Sequence, residues 1–312
     1  MAQETVLWKP VAVVACAAMA FFYVGILHAP SLILRLPPPS SYNEFMIRRF
    51  ICAGISSIVS IIFCAMILPI RSWEASYLLG IYGIRLDHTW RAVVLPLSLT
   101  SLMYAGSFVL KSFLFVDAWR ERINQGGGLS PNWIKDVLQN FLSRICSTAF
   151  SVLAWRTYVV APLTEELVFR ACMIPLFLCG GIQIYSVIFL CPILFSLAHL
   201  NHWMEIYSQQ NYSLLKASLA VGLQLGYTVI FGAYASFLFI RTGHFLAPFT
   251  AHVFCNFMGL PVLLARGKGI VTVAFVAGML TFFYLLFPLT QPDLYNDRTN
   301  SCRCWNGYCA RN

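Results

Sequence analysis

Three charged residues, Glu165, Glu166 and Arg170, lie within an otherwise apolar part of the chain. A charge at the depth of a bilayer is costly to bury and usually has a functional reason. Two adjacent carboxylates can have different roles, because one can pair with a cation while the other accepts a proton. These residues are therefore the first candidates for chemistry.

Helical spacing separates the two glutamates. Residues four apart lie on one face of a helix, so Glu166 is predicted to pair with Arg170. Glu165 is then turned about 100° away and is predicted to point into the interior of the protein. The sequence also allows a helix to begin after Pro162 with Thr164 as its cap.

Two further apolar segments carry polar residues at the same spacing. Phe195 precedes His199 by four positions, and His252 precedes Asn256 by four positions. His252 and Asn256 therefore share a face, where both can donate hydrogen bonds to a developing oxyanion. The ring of Phe195 is predicted to fix its helix against neighbouring helices. Together with the glutamates, these residues predict a functional cluster built from three helices.

Composition defines the class of protein that must position this cluster. The chain is 59% hydrophobic and only 11% charged, whereas soluble domains carry about 25% charged residues. A helix needs about 20 apolar residues to cross a bilayer. The predicted spans are 11–28, 51–70, 92–116, 144–161, 182–200, 214–240, 244–265 and 270–290, with a shorter charged stretch at 165–180. That stretch is either a separate helix or a continuation past a break at Pro162.

The predicted fold is all-α, a polytopic transmembrane bundle of about eight helices around a polar cavity. Lipid gives backbone groups no hydrogen-bond partner outside the helix, so spanning segments must be helical. Residues 1–290 are predicted to form one transmembrane catalytic domain, and residues 291–312 a polar tail. Residues 131–142 have the spacing of an amphipathic helix, which lies on the membrane surface or packs against the bundle.

The net charge of +9 is assigned to contact with membrane lipid. Nucleic acid is not an expected partner, because no basic soluble domain is present to bind it.

The three motifs resemble those of type II CAAX prenyl endopeptidases, the Ras-converting type within the wider CAAX protease and bacteriocin-processing family. Glu165-Glu166-x-x-x-Arg170, Phe195-x-x-x-His199 and His252-x-x-x-Asn256 occur in the order and at the mutual spacing of the family's motifs. Residues 155–164 resemble the eukaryotic branch of that family. The resemblance is strongest over residues 144–264, and the N-terminal third matches in hydropathy only.

The resemblance implies a fold of about eight helices around a conical cavity open to the cytosol and the lipid. It implies a glutamate-type intramembrane endopeptidase of the endoplasmic reticulum membrane, without metal or cofactor. Its partners would be prenylated CaaX proteins such as small GTPases, from which it would release the last three residues. The implied catalytic residues are Glu165 and His199, which activate a water, and His252 and Asn256, which stabilise the oxyanion; Glu166, Arg170 and Phe195 are implied to support them.

Other functions compete with this interpretation. A zinc-dependent membrane protease could use Glu165, His199 and His252 as ligands, but the chain contains no His-Glu-x-x-His motif. A non-catalytic membrane scaffold of the same family would not need the complete set of motif residues that is found here. A proton-coupled transporter could use buried Glu and His residues, but no inverted repeat is visible in the sequence.

Overall fold

The computed structural model describes residues 7–68, 75–124, 131–198, 214–265 and 269–295, and every regular element within these ranges is helical. The longer helices are α1 (Lys9–Gly25), α2 (Tyr42–Ile67), α3 (Ala75–Ile81), α4 (Thr89–Leu102), α5 (Ala105–Asn124), α6 (Pro131–Ala149), α7 (residues 152–179), α8 (Ile184–Ala198), α9 (Leu214–Thr242), α10 (Leu246–Met258) and α11 (Gly269–Leu286). Helix α1 continues through a 3₁₀ turn (Ile26–His28) into a short helix (Ala29–Leu32). The predicted all-α fold is confirmed.

Several helices are long and apolar enough to cross a membrane. Within the described ranges four meet this requirement: Lys9–Leu32, Tyr42–Ile67, Val221–Thr242 and Gly269–Leu286. The pair α4 and α5 adds a fifth span if it is counted as one, although the two helices are bent by 75° at their junction. The polytopic class is therefore confirmed, whereas the number of eight spans stays a prediction. The predicted single span 92–116 contains the bend.

Helix α7 carries both glutamates and differs from the sequence prediction. We expected a span at 144–161 and a break at Pro162. Instead α6 ends at Ala149, and α7 begins after Ser151, whose hydroxyl accepts a hydrogen bond from Ala154 N at 3.4 Å. Proline within a helix removes one backbone donor, and a locally widened turn is one way to absorb that loss. Such wide, π-helical turns occur twice in α7, at Arg156–Val160 and at Leu167–Cys172.

The first turn of α2 is closed by local hydrogen bonds. Ser41 Oγ accepts from Glu44 N at 3.2 Å, and the Glu44 carboxylate accepts from Ser40 N at 2.8 Å. This reciprocal pattern is a capping box, shifted by one residue, that satisfies donors at the helix start. It fixes where α2 begins and hence which of its side chains face α7.

The predicted amphipathic segment forms α6. Among its described side chains Leu138, Leu142 and Ile145 are exposed. Because these apolar side chains are not covered by other helices, they favour a position of α6 at the membrane surface over packing against the bundle.

The chain continues to pack beyond residue 290. Tyr295 is fully buried, and Arg91 donates a hydrogen bond to Leu294 O at 3.2 Å. The remainder of the predicted tail, residues 296–312, lies outside the described residues. The boundary at residue 290 therefore stays a prediction.

Helix α11 packs tightly against the bend between α4 and α5. A Cβ atom at Gly278 would overlap the carbonyl oxygen of Leu102 and would lie 2.7 Å from Ala105 Cβ. Only glycine allows the helices to approach this closely at the bend.

We predict that Gly278→Ala lowers the apparent melting temperature of the purified protein, because the added methyl group meets backbone that cannot move aside. Overpacking of this kind costs about 1–3 kcal/mol. Gly54→Ala in α2 is the matched control, since a Cβ there has no atom within 4 Å. Thermal unfolding in detergent measures both variants, and equal melting temperatures would contradict the packing argument.

Candidate active site

Glu166 is the centre of a buried polar cluster between α7 and α10. Its side chain is 0% exposed, and Oε1 accepts hydrogen bonds from Arg170 Nη1 at 2.9 Å and from His252 Nδ1 at 2.7 Å. The predicted pairing of Glu166 with Arg170 is confirmed. Because His252 belongs to α10, this carboxylate also joins the two helices that carry the first and third motifs.

Glu165 lies on the other side of the same imidazole. Its Oε2 is 3.7 Å from His252 Nε2, and its side chain is 16% exposed. Because Nδ1 donates to Glu166, the ring orientation is fixed and Nε2 is directed towards Glu165. The distance between Nε2 and Oε2 exceeds that of a hydrogen bond. The prediction that Glu165 points away from Arg170 and into the interior is confirmed.

Asn256 is held by a backbone carbonyl that Pro162 leaves without a helical partner. In the wide turn the N–H of Ala161 bonds to the carbonyl of Arg156, five residues earlier. The next carbonyl, that of Thr157, would need the N–H of residue 162, which proline lacks. Asn256 Nδ2 donates to Thr157 O at 2.8 Å instead. The amide group has a second N–H, which remains available for another acceptor.

Thr164 does not cap a helix start, so that alternative was wrong. Its hydroxyl donates to Val160 O at 2.8 Å, one turn back within α7, and accepts from Tyr23 OH at 2.9 Å. Tyr23 thereby anchors α1 beside Glu165. Sequence reasoning missed Tyr23, since a single tyrosine in an apolar span follows no motif.

Aromatic rings enclose the cluster. The Arg170 guanidinium lies 4.6 Å from the ring centroid of Phe195, a cation–π contact between α7 and α8. The predicted packing role of Phe195 is therefore confirmed. The ring of Phe231 lies 4.9 Å from that of His252 and was not predicted, because nothing in the sequence distinguishes it from other apolar residues of α9.

Glu165 borders a cavity of about 110 Å³ between α1, α2, α7 and α8. One part of its wall is polar and consists of Tyr23, Arg49, Arg156, Thr164 and Glu165; apolar residues such as Val24, Leu27, Phe50 and Val160 form much of the rest. A mixed wall of this kind suits a ligand with both an apolar body and polar groups.

His199, the remaining predicted catalytic residue, follows α8 directly and lies outside the described residues. In the part of the chain that is described, no three His, Cys, Asp or Glu side chains are arranged so that they could hold a metal ion. A mechanism without metal stays a prediction.

The fold and the site define a helical membrane protein with a carboxylate–imidazole cluster buried between helices at the edge of a cavity. Residues 147–258 match the family described as Type II CAAX prenyl endopeptidase Rce1-like. The chain is 62% identical to CAAX prenyl protease 2 of Arabidopsis thaliana over 96% of each chain. It is 33% identical to CAAX prenyl protease 2 of Homo sapiens over 91% of this chain and 83% of that protein. The chain therefore belongs to the type II CAAX prenyl endopeptidases.

The similarity extends further along the chain than the motifs indicated. The match to CAAX prenyl protease 2 of Caenorhabditis elegans, at 30% identity, covers 87% of this chain and 94% of that protein. The expectation that the N-terminal third matches in hydropathy only was wrong, because these alignments include most of it. No solved structure matches the chain.

The two glutamates should differ in their effect on stability. Glu166→Gln leaves the buried Arg170 guanidinium without a counter-charge, and breaking a buried pair costs about 3–5 kcal/mol. Glu165→Gln changes a side chain that borders the cavity and should leave the melting temperature close to that of the unmodified protein. Thermal unfolding of the two variants side by side checks this prediction, and an equal loss in both would refute the division of roles.

Proposed function

We propose that the chain is a glutamate-type intramembrane endopeptidase that removes the C-terminal tripeptide from prenylated CaaX proteins, small GTPases among them. The proposed location is the membrane of the endoplasmic reticulum. One observation carries the proposal: Glu165 and His252 face each other across 3.7 Å at a cavity, while Glu166 fixes the far side of the same ring. The curated relatives bear the name CAAX prenyl protease 2, which supports this substrate class.

The proposed reaction begins with a water molecule bound at Glu165. The Glu165 carboxylate, assisted by His199, takes a proton as the water oxygen attacks the carbonyl carbon that follows the prenylated cysteine. The tetrahedral intermediate carries one negative charge on the former carbonyl oxygen. Because Nδ1–H of His252 is used by Glu166, His252 is proposed to act in its imidazolium form and to donate to that oxygen through Nε2–H. Asn256 is proposed to donate to it through its second N–H. When the tetrahedral intermediate collapses, the C–N bond breaks and the proton held by Glu165 passes to the leaving amine.

Glu166, Arg170 and Phe195 are proposed to support these residues without touching the substrate. Glu166 holds the imidazole of His252 through Nδ1, and Arg170 holds Glu166. Because Glu166 and Arg170 neutralise one another, this pair positions the histidine without adding net charge of its own to the interior. Phe195 covers the guanidinium of Arg170.

A membrane location suits the proposed substrate. Burial of a lipid chain contributes about 0.8 kcal/mol per CH₂ group, so a prenylated C-terminus concentrates at the bilayer. An enzyme that cleaves next to the lipidated cysteine must therefore bring water to a peptide bond near the membrane. The polar wall of the cavity beside Glu165 offers such a place.

Glu165→Gln should abolish cleavage of a farnesylated CaaX peptide, because the amide cannot accept the proton from water. Release of the tripeptide by purified protein in detergent, followed by mass spectrometry, measures this. Glu121→Gln in α5 is the control, since Glu121 is exposed, and it should cleave at the unmodified rate. Full turnover by Glu165→Gln would show that Glu165 is not the general base.

Asn256→Ala should reduce kcat by about 10²–10³ and leave residual turnover, as expected when one oxyanion donor is lost. The variant also leaves Thr157 O without its side-chain donor, which costs about 1–3 kcal/mol of stability. Rates are therefore normalised to folded protein, and KM is measured alongside kcat. A variant that lost stability but kept its kcat would show that Asn256 only supports α7.

A zinc-dependent protease is the competing mechanism, with Glu165, His199 and His252 as the possible ligands. Incubation with a strong chelator followed by the peptide assay separates the two mechanisms. The proposal expects unchanged turnover. If the chelator abolishes turnover and added zinc restores it, the reaction uses a metal centre and Glu165 is not the general base.

A further inference from the structure

Two arginines, Arg49 of α2 and Arg156 of α7, line the cavity that Glu165 borders. A second opening shares both arginines and Met46 with this cavity, and Glu165 does not line it; the rest of its wall is formed by Pro39, Ser41, Tyr42 and Phe45. The arginines therefore stand at the junction between the proposed reaction centre and this outer opening.

The charges along this path favour an anion. Glu165 is the only acidic residue among the described residues that line either space. Arg49 lies over the ring of Phe45, with 5.2 Å between its guanidinium carbon and the ring centroid, which holds it at the opening. The structure shows no hydrogen bond or ion pair for the Arg156 guanidinium within the described residues. Two cations against one carboxylate suit a ligand with a negative group.

The wide turn in α7 is what brings Arg156 to this cavity. In an ideal α-helix the nine residues from Arg156 to Glu165 make about two and a half turns, which would put the two side chains on opposite faces. The turn at Arg156–Val160 winds less per residue, and both side chains line one space. Their backbone positions remain offset along the helix axis by about 13 Å.

The proposed substrate has a negative group at a matching distance. This step rests on the proposed function, in which the scissile bond lies three residues before the free C-terminus. Three extended residues span about 10 Å. The arginine side chain is long and flexible, and one that extends towards Glu165 would cover the difference between this length and the axial offset. A guanidinium also binds a carboxylate through two parallel hydrogen bonds, which makes the interaction directional.

We propose that Arg156, with Arg49 beside it, binds the C-terminal carboxylate of the substrate and so sets the cleavage position three residues from the chain end. The arginines act in specificity, and the bond-breaking step belongs to Glu165 and its partners. An extended or blocked C-terminus loses this contact and is cleaved poorly.

The test compares two farnesylated CaaX peptides that differ only at the C-terminus, one a free acid and the other a carboxamide. The unmodified protein should cleave the acid with a kcat/KM about 10- to 100-fold higher than the amide, as expected for hydrogen bonds to a charged group. Arg156→Gln should lower kcat/KM for the acid by a similar factor and leave the amide unchanged, so that the preference disappears. Turnover of the amide also shows that the variant is folded.

Arg122→Gln is the matched control, because Arg122 is an exposed arginine of α5 outside the cavity, and it should retain the preference for the acid. If the unmodified protein cleaves acid and amide equally, or if Arg156→Gln keeps the preference, the carboxylate assignment is wrong while the protease assignment stands. An equal loss for both peptides in Arg156→Gln would also overturn it and indicate a structural or lipid-binding role. Failure to cleave either peptide with the unmodified protein would contradict the proposed function itself.

Discussion

The buried carboxylate of Glu166 is the interaction on which the rest of the site depends. One oxygen accepts hydrogen bonds from Arg170 on its own helix and from His252 on α10. An unpaired charge at this depth would be strongly destabilising, so the three groups are stable only together. The same bonds orient the imidazole, and the neighbouring glutamate, Glu165, then faces its second nitrogen, Nε2. A buried ion-paired carboxylate and the proposed general base thus occupy adjacent positions of one helix turn.

Pro162 shapes the site from within α7. Its missing N–H coincides with a widened turn and leaves the carbonyl of Thr157 without a helical donor. That carbonyl accepts a hydrogen bond from Asn256 instead. The turn also changes the winding of the helix, so that Arg156 and Glu165 line one cavity. The one N–H that Pro162 lacks therefore influences two residues with proposed roles. It helps to place Asn256, the proposed oxyanion donor, and Arg156, the proposed carboxylate-binding arginine. Wide helical turns are frequent at functional sites, and this one has an identifiable cause.

The sequence was sufficient where local spacing decides the outcome. The spacing of four residues predicted the Glu166–Arg170 pair, and apolar length predicted a helical membrane protein. It failed where contacts come from distant segments: Tyr23 reaches Thr164 across 141 positions of the chain, and no motif marks it. It also placed the break at Pro162, whereas the chain turns at Phe150 and α7 continues through the proline. Helical periodicity assumes 3.6 residues per turn, and the two wide turns of α7 violate that assumption.

The central claim is that water, activated at Glu165, attacks the substrate carbonyl directly. A single turnover of a farnesylated CaaX peptide in water enriched in ¹⁸O tests this claim most directly, with the products and the enzyme both analysed by mass spectrometry. The account predicts one ¹⁸O atom in the new carboxylate of the prenylated product and no label in the protein. Label in the side chain of Glu165, with only ¹⁶O in the first product, would reveal a covalent acyl intermediate and contradict it.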